Sequence, residues 1–68
     1  MKVKTLVNVM RYEADEAELV TDNMELISKM AMDTLIVCYG DCKVKKFHTY
    51  VDDDGLTILE LTLTHVPY

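Results

Sequence analysis

The segment spanning residues 21–42 constrains the fold more than any other, because it carries both a helix start and a helix stop. Asp22, followed three residues later by Glu25, forms a capping box in its Asp variant. Gly40 is typical of a left-handed C-cap, the conformation that ends many helices. The segment therefore predicts one α-helix over residues 22–39.

This predicted helix is apolar around more of its circumference than one small sheet can cover. The face that we assign to the sheet carries Met24, Ile27, Ala31, Thr34 and Cys38. The apolar residues left over are Met32, Leu35, Ile36 and Tyr39. We expect these four to contact a second copy or another protein, with burial in the core as the competing explanation. A second alternative ends the helix near Asp33 and makes residues 34–39 a strand, because that stretch is rich in β-branched residues.

The last third of the chain predicts a β-hairpin. Residues 42–51 and 56–66 read as strands, and the Asp54-Gly55 pair between them is a strong turn signal. In the second strand Leu59, Leu61 and Leu63 alternate with other residues, so we expect one buried face. The first strand changes parity midway, and a β-bulge near Lys45 and Lys46 would reconcile its two halves. Pro67 is expected to end the second strand.

The N-terminal part predicts two further strands. Residues 2–12 are rich in β-branched side chains and partly alternating, and residues 17–21 read as a short return strand after an acidic stretch. The sequence thus predicts an α+β fold: a small antiparallel sheet of three to four strands, ending in the hairpin, with one helix packed on one face. At 68 residues the chain is expected to form a single domain, residues 1–68.

The charge pattern narrows the class of partner. The net charge is −5, and charge-driven nucleic-acid binding needs a basic surface, so no direct binding to nucleic acid is expected. The candidate acidic partner surface consists of Glu13, Asp15, Glu16 and Glu18. A solvated loop is the plainer explanation of such a cluster. No export signal or membrane-length apolar run is visible, which favours a cytoplasmic protein that does not contact a membrane.

Few residues suggest chemistry. Cys38, Cys42 and His65 could converge on a zinc ion, but two small buried thiols and an ordinary histidine explain the same residues. No phosphate-binding loop is present, because the chain has only two glycines. We therefore expect no catalytic residues, no cofactor and no enzymatic activity.

These observations favour a small acidic, non-enzymatic protein-binding module that acts as a homo-oligomer, most simply a dimer. Small acidic proteins of this kind occur in phages and mobile elements, where they modulate or inhibit a host protein, and a host protein is the expected second partner. One alternative is a structural subunit of a larger assembly. The other is a small zinc-binding regulator that uses the two cysteines and His65.

Overall fold

The computed structural model describes residues 1–64, and within them the chain has the predicted α+β fold, with two short helices and a four-stranded sheet. The elements, in chain order, are α1 (Val3–Met10), β1 (Glu16–Val20), β2 (Leu26–Met30), α2 (Met32–Tyr39), β3 (Val44–Val51) and β4 (Thr57–Leu63). The predicted C-terminal hairpin is confirmed as β3 and β4.

The sheet is mixed and not wholly antiparallel. Its strand order is β2-β1-β4-β3, and its two hairpins meet through a parallel pairing of β1 with β4. The two edge strands β2 and β3 consequently run in the same direction, and α2 carries the chain from one edge to the other. A helix is the usual connection between strands that run in the same direction.

The strand predicted over residues 2–12 is wrong, because this segment forms α1. Its apolar residues Val3, Leu6, Val7 and Met10 recur at helical spacing, and the first three are buried. The β-branched composition favoured a strand, but packing of this stripe against the sheet outweighs a difference in propensity of a few tenths of a kcal/mol per residue.

The single helix predicted over residues 22–39 is also wrong, since the segment divides into a turn, β2 and α2. The turn is held by Thr21, whose Oγ1 accepts the backbone N–H groups of Asn23 and Glu25. Met24 adopts a positive φ of 66° within it. The turn pairs β1 with β2, so the proposed capping box at Asp22 does not exist.

The alternative strand over residues 34–39 is likewise wrong, because those residues lie in α2. This helix ends before Gly40 as predicted, but Gly40 is right-handed, with φ of −52°. Glycine is needed there for a close approach: a Cβ atom would lie 2.4 Å from the carbonyl oxygen of Ile36.

The remaining strand predictions hold. The short strand predicted over residues 17–21 is β1, which begins and ends one residue earlier than predicted. The turn of the C-terminal hairpin has Gly55 at φ 82°, and Asp52 Oδ1 accepts the N–H groups of Asp54 and Leu56. A register shift between Val44 and Lys46 confirms the predicted bulge. The predicted end of the last strand at Pro67 lies outside the described residues.

Both helices cover the same face of the sheet. The strands contribute Ala17, Leu19, Leu59, Leu61 and Leu63 to this core, which confirms the predicted buried face of the last strand. The helices contribute Val3, Leu6, Val7, Met32 and Leu35. The resulting core is entirely aliphatic except for one methionine, and it leaves the outer strand β3 almost uncovered.

Candidate functional site

The most exposed regular element of the described chain is β3. Seven of its eight residues are exposed, although the strand belongs to the sheet. Phe47 keeps 45% of its surface exposed and Val51 keeps 65%, and both are large apolar side chains. β3 is an edge strand, and edge strands offer unpaired backbone groups to other chains.

The direction of those backbone groups follows from the hairpin. The N–H group of Asp52 donates to the carbonyl of Leu56 across the hairpin, at 2.9 Å. Backbone groups alternate in direction along an antiparallel strand. The N–H and C=O groups of Phe47, Thr49 and Val51 therefore point away from β4, towards the open edge.

The open edge has a defined beginning. The N–H of Val44 donates to the carbonyl of Met1 at 2.8 Å, and the N–H of Val3 donates to the carbonyl of Cys42 at 2.9 Å. Lys2 and Lys43 form an isolated bridge there. The N-terminal residues thus occupy the edge as far as Val44, and the free part of β3 begins at Lys45.

Charge changes sign along this free edge. Its first half carries Lys45 and Lys46, and the turn at its other end carries Asp52, Asp53 and Asp54. Lys45 Nζ lies 2.8 Å from Asp22 Oδ1, and this hydrogen bond lowers the pKa of Asp22 below its ordinary value. The edge is therefore basic at one end, acidic at the other and apolar between them.

The sheet face away from the helices carries paired polar side chains. The hydroxyl of Tyr50 donates to Glu18, which raises the pKa of Tyr50 to about 12. His48 Nε2 lies 3.2 Å from Glu60 Oε1, a distance that permits an ion pair, but the alignment does not meet hydrogen-bond geometry. Tyr50 and Glu18 are thus joined within the protein, whereas Glu60 Oε1 is buried without a hydrogen-bond partner among the described residues.

The predicted interface residues do not form a free surface. Met32 and Leu35 are buried in the core, and Ile36 and Tyr39 are half-buried against it. The expectation that these four are left over from the core is wrong for Met32 and Leu35, because α2 begins at Met32 and turns this stripe towards the sheet. A contact between α2 and a partner stays a prediction.

The predicted acidic surface is divided between different neighbours. Asp15 accepts the N–H of Thr57 at 2.8 Å, and Glu18 accepts the hydroxyl of Tyr50. Glu16 lies 3.8 Å from Lys29, whereas Glu13 is exposed in the turn after α1. The structure does not bring the four into one free patch, and their recognition of a partner stays a prediction.

The two cysteines line a cleft of about 310 Å³ at the end of α2. Cys38 is exposed, Cys42 is half-buried, and both are free thiols. Lys4 crosses the cleft to Asp41 at 3.1 Å, and this hydrogen bond lowers the pKa of Asp41. Residues 1–64 contain no cluster of three potential metal ligands. The third ligand of the zinc alternative, His65, lies outside the described residues.

The edge of β3 is the site that sequence reasoning missed. The signal was present in the parity change, which puts Phe47 and Val51 on one side of the strand. Only the strand order shows that β3 lies at an edge.

No helix in the described part of the chain is long and apolar enough to cross a membrane. No protein-family model, curated protein or solved structure matches this chain.

Proposed function

We propose that this chain is a small, acidic, non-enzymatic protein-binding module that acts as a homo-oligomer. The observation that carries the proposal is the free edge of β3, where outward backbone groups lie beside the exposed side chains of Phe47 and Val51. Strand addition to such an edge is a common mode of protein recognition, in which main-chain hydrogen bonds supply affinity and side chains supply specificity.

The two halves of the edge support this function differently. Lysines and a bulge are devices that protect an edge strand from unwanted pairing, and β3 has both at Lys45 and Lys46. The half from Phe47 to Val51 has neither device. An edge that is protected at one end and apolar at the other suits a specific partner better than indiscriminate pairing.

Self-association can be tested by the solution mass of the tag-free protein, measured by light scattering over a hundredfold range of concentration. We expect a discrete oligomer, most simply a dimer of about twice the 7.8 kDa chain mass. A clean monomer throughout the range would contradict the proposal. A mass that rises without reaching a plateau would instead support the assembly-subunit alternative, because a head-to-tail contact does not close.

A matched pair of variants locates the surface. Val51→Lys places a charge on the exposed apolar half of β3 and should reduce association. Val37→Lys places the same charge on the exposed side of α2, where Val37 is also largely accessible, and should leave association unchanged. The opposite result would move the interface to α2, as the sequence first suggested.

A further inference from the structure

We propose that β3 pairs antiparallel with β3 of a second copy, about a two-fold axis that passes through Thr49, so that two four-stranded sheets join into one. The inference rests on the proposed self-association and names its surface and register. In this register Thr49 faces its own copy, Phe47 faces Val51 of the partner subunit, and Lys45 faces Asp53 of the partner subunit.

The backbone supports this register. The outward N–H and C=O groups belong to Phe47, Thr49 and Val51, and antiparallel partners that exchange hydrogen bonds must both point outward. Pairing about Thr49 matches each of these residues with another of the same set. The three pairs supply about six backbone hydrogen bonds.

Charge complementarity supports the antiparallel direction and the second copy. An antiparallel partner brings its acidic turn to the basic half of the strand, so Lys45 faces Asp53 of the partner subunit. Lys46 faces the partner subunit's Asp52. These contacts add to those that both lysines make with Asp22 of their own chain. The two-fold axis repeats the match at the other end of the interface. A parallel arrangement would instead place lysines against lysines, and like charges directly opposite are destabilising.

The apolar side chains support the same register. Phe47 is in register with Leu61, which lies in the core, so Phe47 is on the helix-covered side of the sheet. Val51 lies on that side as well. A pair of Phe47 with the partner's Val51 removes both exposed side chains from water at once and continues the aliphatic core across the axis.

The N-terminal residues exclude one of the two nearest competing registers. The other, centred on Tyr50, would bring the apolar Phe47 against Asp53 of the partner subunit. Centring the pair on His48 would place the partner's Asp53 opposite Lys43, where residues 1–3 already occupy the edge. It would also bring Lys45 against the partner's Val51. The free part of β3 runs from Lys45 to Val51, and pairing about Thr49 uses all three of its outward residues Phe47, Thr49 and Val51. It also brings the acidic turn that follows Val51 against Lys45 of the partner subunit.

The first test exploits the position of Thr49 on the axis. Thr49→Lys and Thr49→Glu each place like charges against their own copy, so each variant alone should be monomeric by light scattering. An equimolar mixture should recover the dimer as a heterodimer. Circular dichroism of each variant confirms that the fold is retained, which is expected because Thr49 is exposed. Tyr12→Lys, at a side chain that is 95% exposed on the segment after α1, is the matched control and should leave the mass unchanged.

The second test reads the register by cross-linking with oxidised glutathione, in a Cys38→Ser, Cys42→Ala background. Thr49→Cys should form a covalent dimer, because opposite residues on antiparallel strands lie about 5.5 Å apart at Cα, within disulfide reach. His48→Cys should not. A dimer that persists in Thr49→Lys, or that cross-links through His48→Cys instead, would overturn the register but leave self-association standing. A parent protein that is monomeric would contradict both the proposed register and the proposed self-association.

Discussion

The two strands of the C-terminal hairpin differ sharply in burial, although they pair along their whole length. Five of the seven residues of β4 are buried, whereas β3 has no buried residue. Both strands are rich in β-branched and apolar residues. The difference comes from position: β4 has a strand on each side, and β3 has a strand on one side only. One strand therefore lies in the core of the fold, and its neighbour keeps an open edge.

The largest expected contrast is between Leu61 in β4 and Val51 in β3. Leu61→Ala should lower the free energy of unfolding by about 2–5 kcal/mol, since it opens a cavity in the core. Val51→Ala should change it by less than about 0.5 kcal/mol. Urea unfolding followed by circular dichroism measures both, in the Thr49→Lys background so that association does not contribute. Equal losses would show that β3 is buried in solution even in the monomer.

The turn that joins the two strands gives the next effect. Gly55→Ala should lower the free energy of unfolding by about 1–2 kcal/mol, because a side chain is strained at φ 82°. No atom lies within 4 Å of the added Cβ, so the cost belongs to the backbone alone. Asp53→Ala, in the same turn, is the matched control and should have little effect in the same urea experiment. A neutral Gly55→Ala would mean that the turn relaxes freely.

A smaller effect is expected from the hydrogen bond that Tyr50 of β3 donates to Glu18 of β1. The pKa of Tyr50 is about 12 in the folded protein and 10 ordinarily. The hydrogen bond therefore stabilises the fold fully below pH 10, and this stabilisation is lost as the pH rises towards 12. Absorbance titration should therefore show one late tyrosine, absent from Tyr50→Phe. Glu18→Gln should bring that transition down towards its ordinary range, and an unchanged titration would contradict the contact.

The smallest effect is expected at the basic end of β3, where Lys45 contacts Asp22. The lowered pKa of Asp22 means that this contact stabilises the fold above about pH 3.8 and is lost as pH falls further. Both side chains are exposed and screened by solvent. Asp22→Asn should lower the urea midpoint slightly at pH 7 and not at pH 2. Asp54→Asn serves as the control. If it shifts the urea midpoint more than Asp22→Asn does, the change in net charge, and not the contact with Lys45, explains the loss of stability.

The hairpin could be predicted from the sequence because its signals are local. Asp54 and Gly55 specify the turn by themselves, and the alternation of Leu59, Leu61 and Leu63 specifies a buried face. The two helices could not be predicted in the same way. Val3, Leu6, Val7 and Met10 do recur at helical spacing, but eight residues rich in β-branched side chains are helical only because a sheet packs against them.

The candidate site depends on still less local information. Within residues 44–51, Lys45, Lys46 and the bulge beside them are typical of an edge strand. They do not fix the strand order, because that order depends on where α2 returns the chain. In the sequence, four apolar residues are left over from the predicted core-facing side of the helix, whereas in the structure they lie in the core or against it: Met32, Leu35, Ile36 and Tyr39. The difference arises because the predicted helix begins at residue 22 and the observed one at Met32, so the prediction assigns the core-facing side to other residues.

The parallel pairing of β1 with β4 has a consequence for the order of folding. Each hairpin joins neighbouring segments, whereas Asp15 and Thr57, at the start of the β1–β4 pair, are 42 residues apart in the chain. Closing so long a loop lowers the conformational entropy of the chain before any contact between the two strands can stabilise it. We expect the two hairpins to form early and their docking to limit the folding rate. Stopped-flow refolding of Leu19→Ala, which removes a docking contact, should then show slower folding than the parent protein. Until the hairpins dock, the Leu-rich strand β4 has a free edge of its own, and this interval is when the chain is most exposed to aggregation.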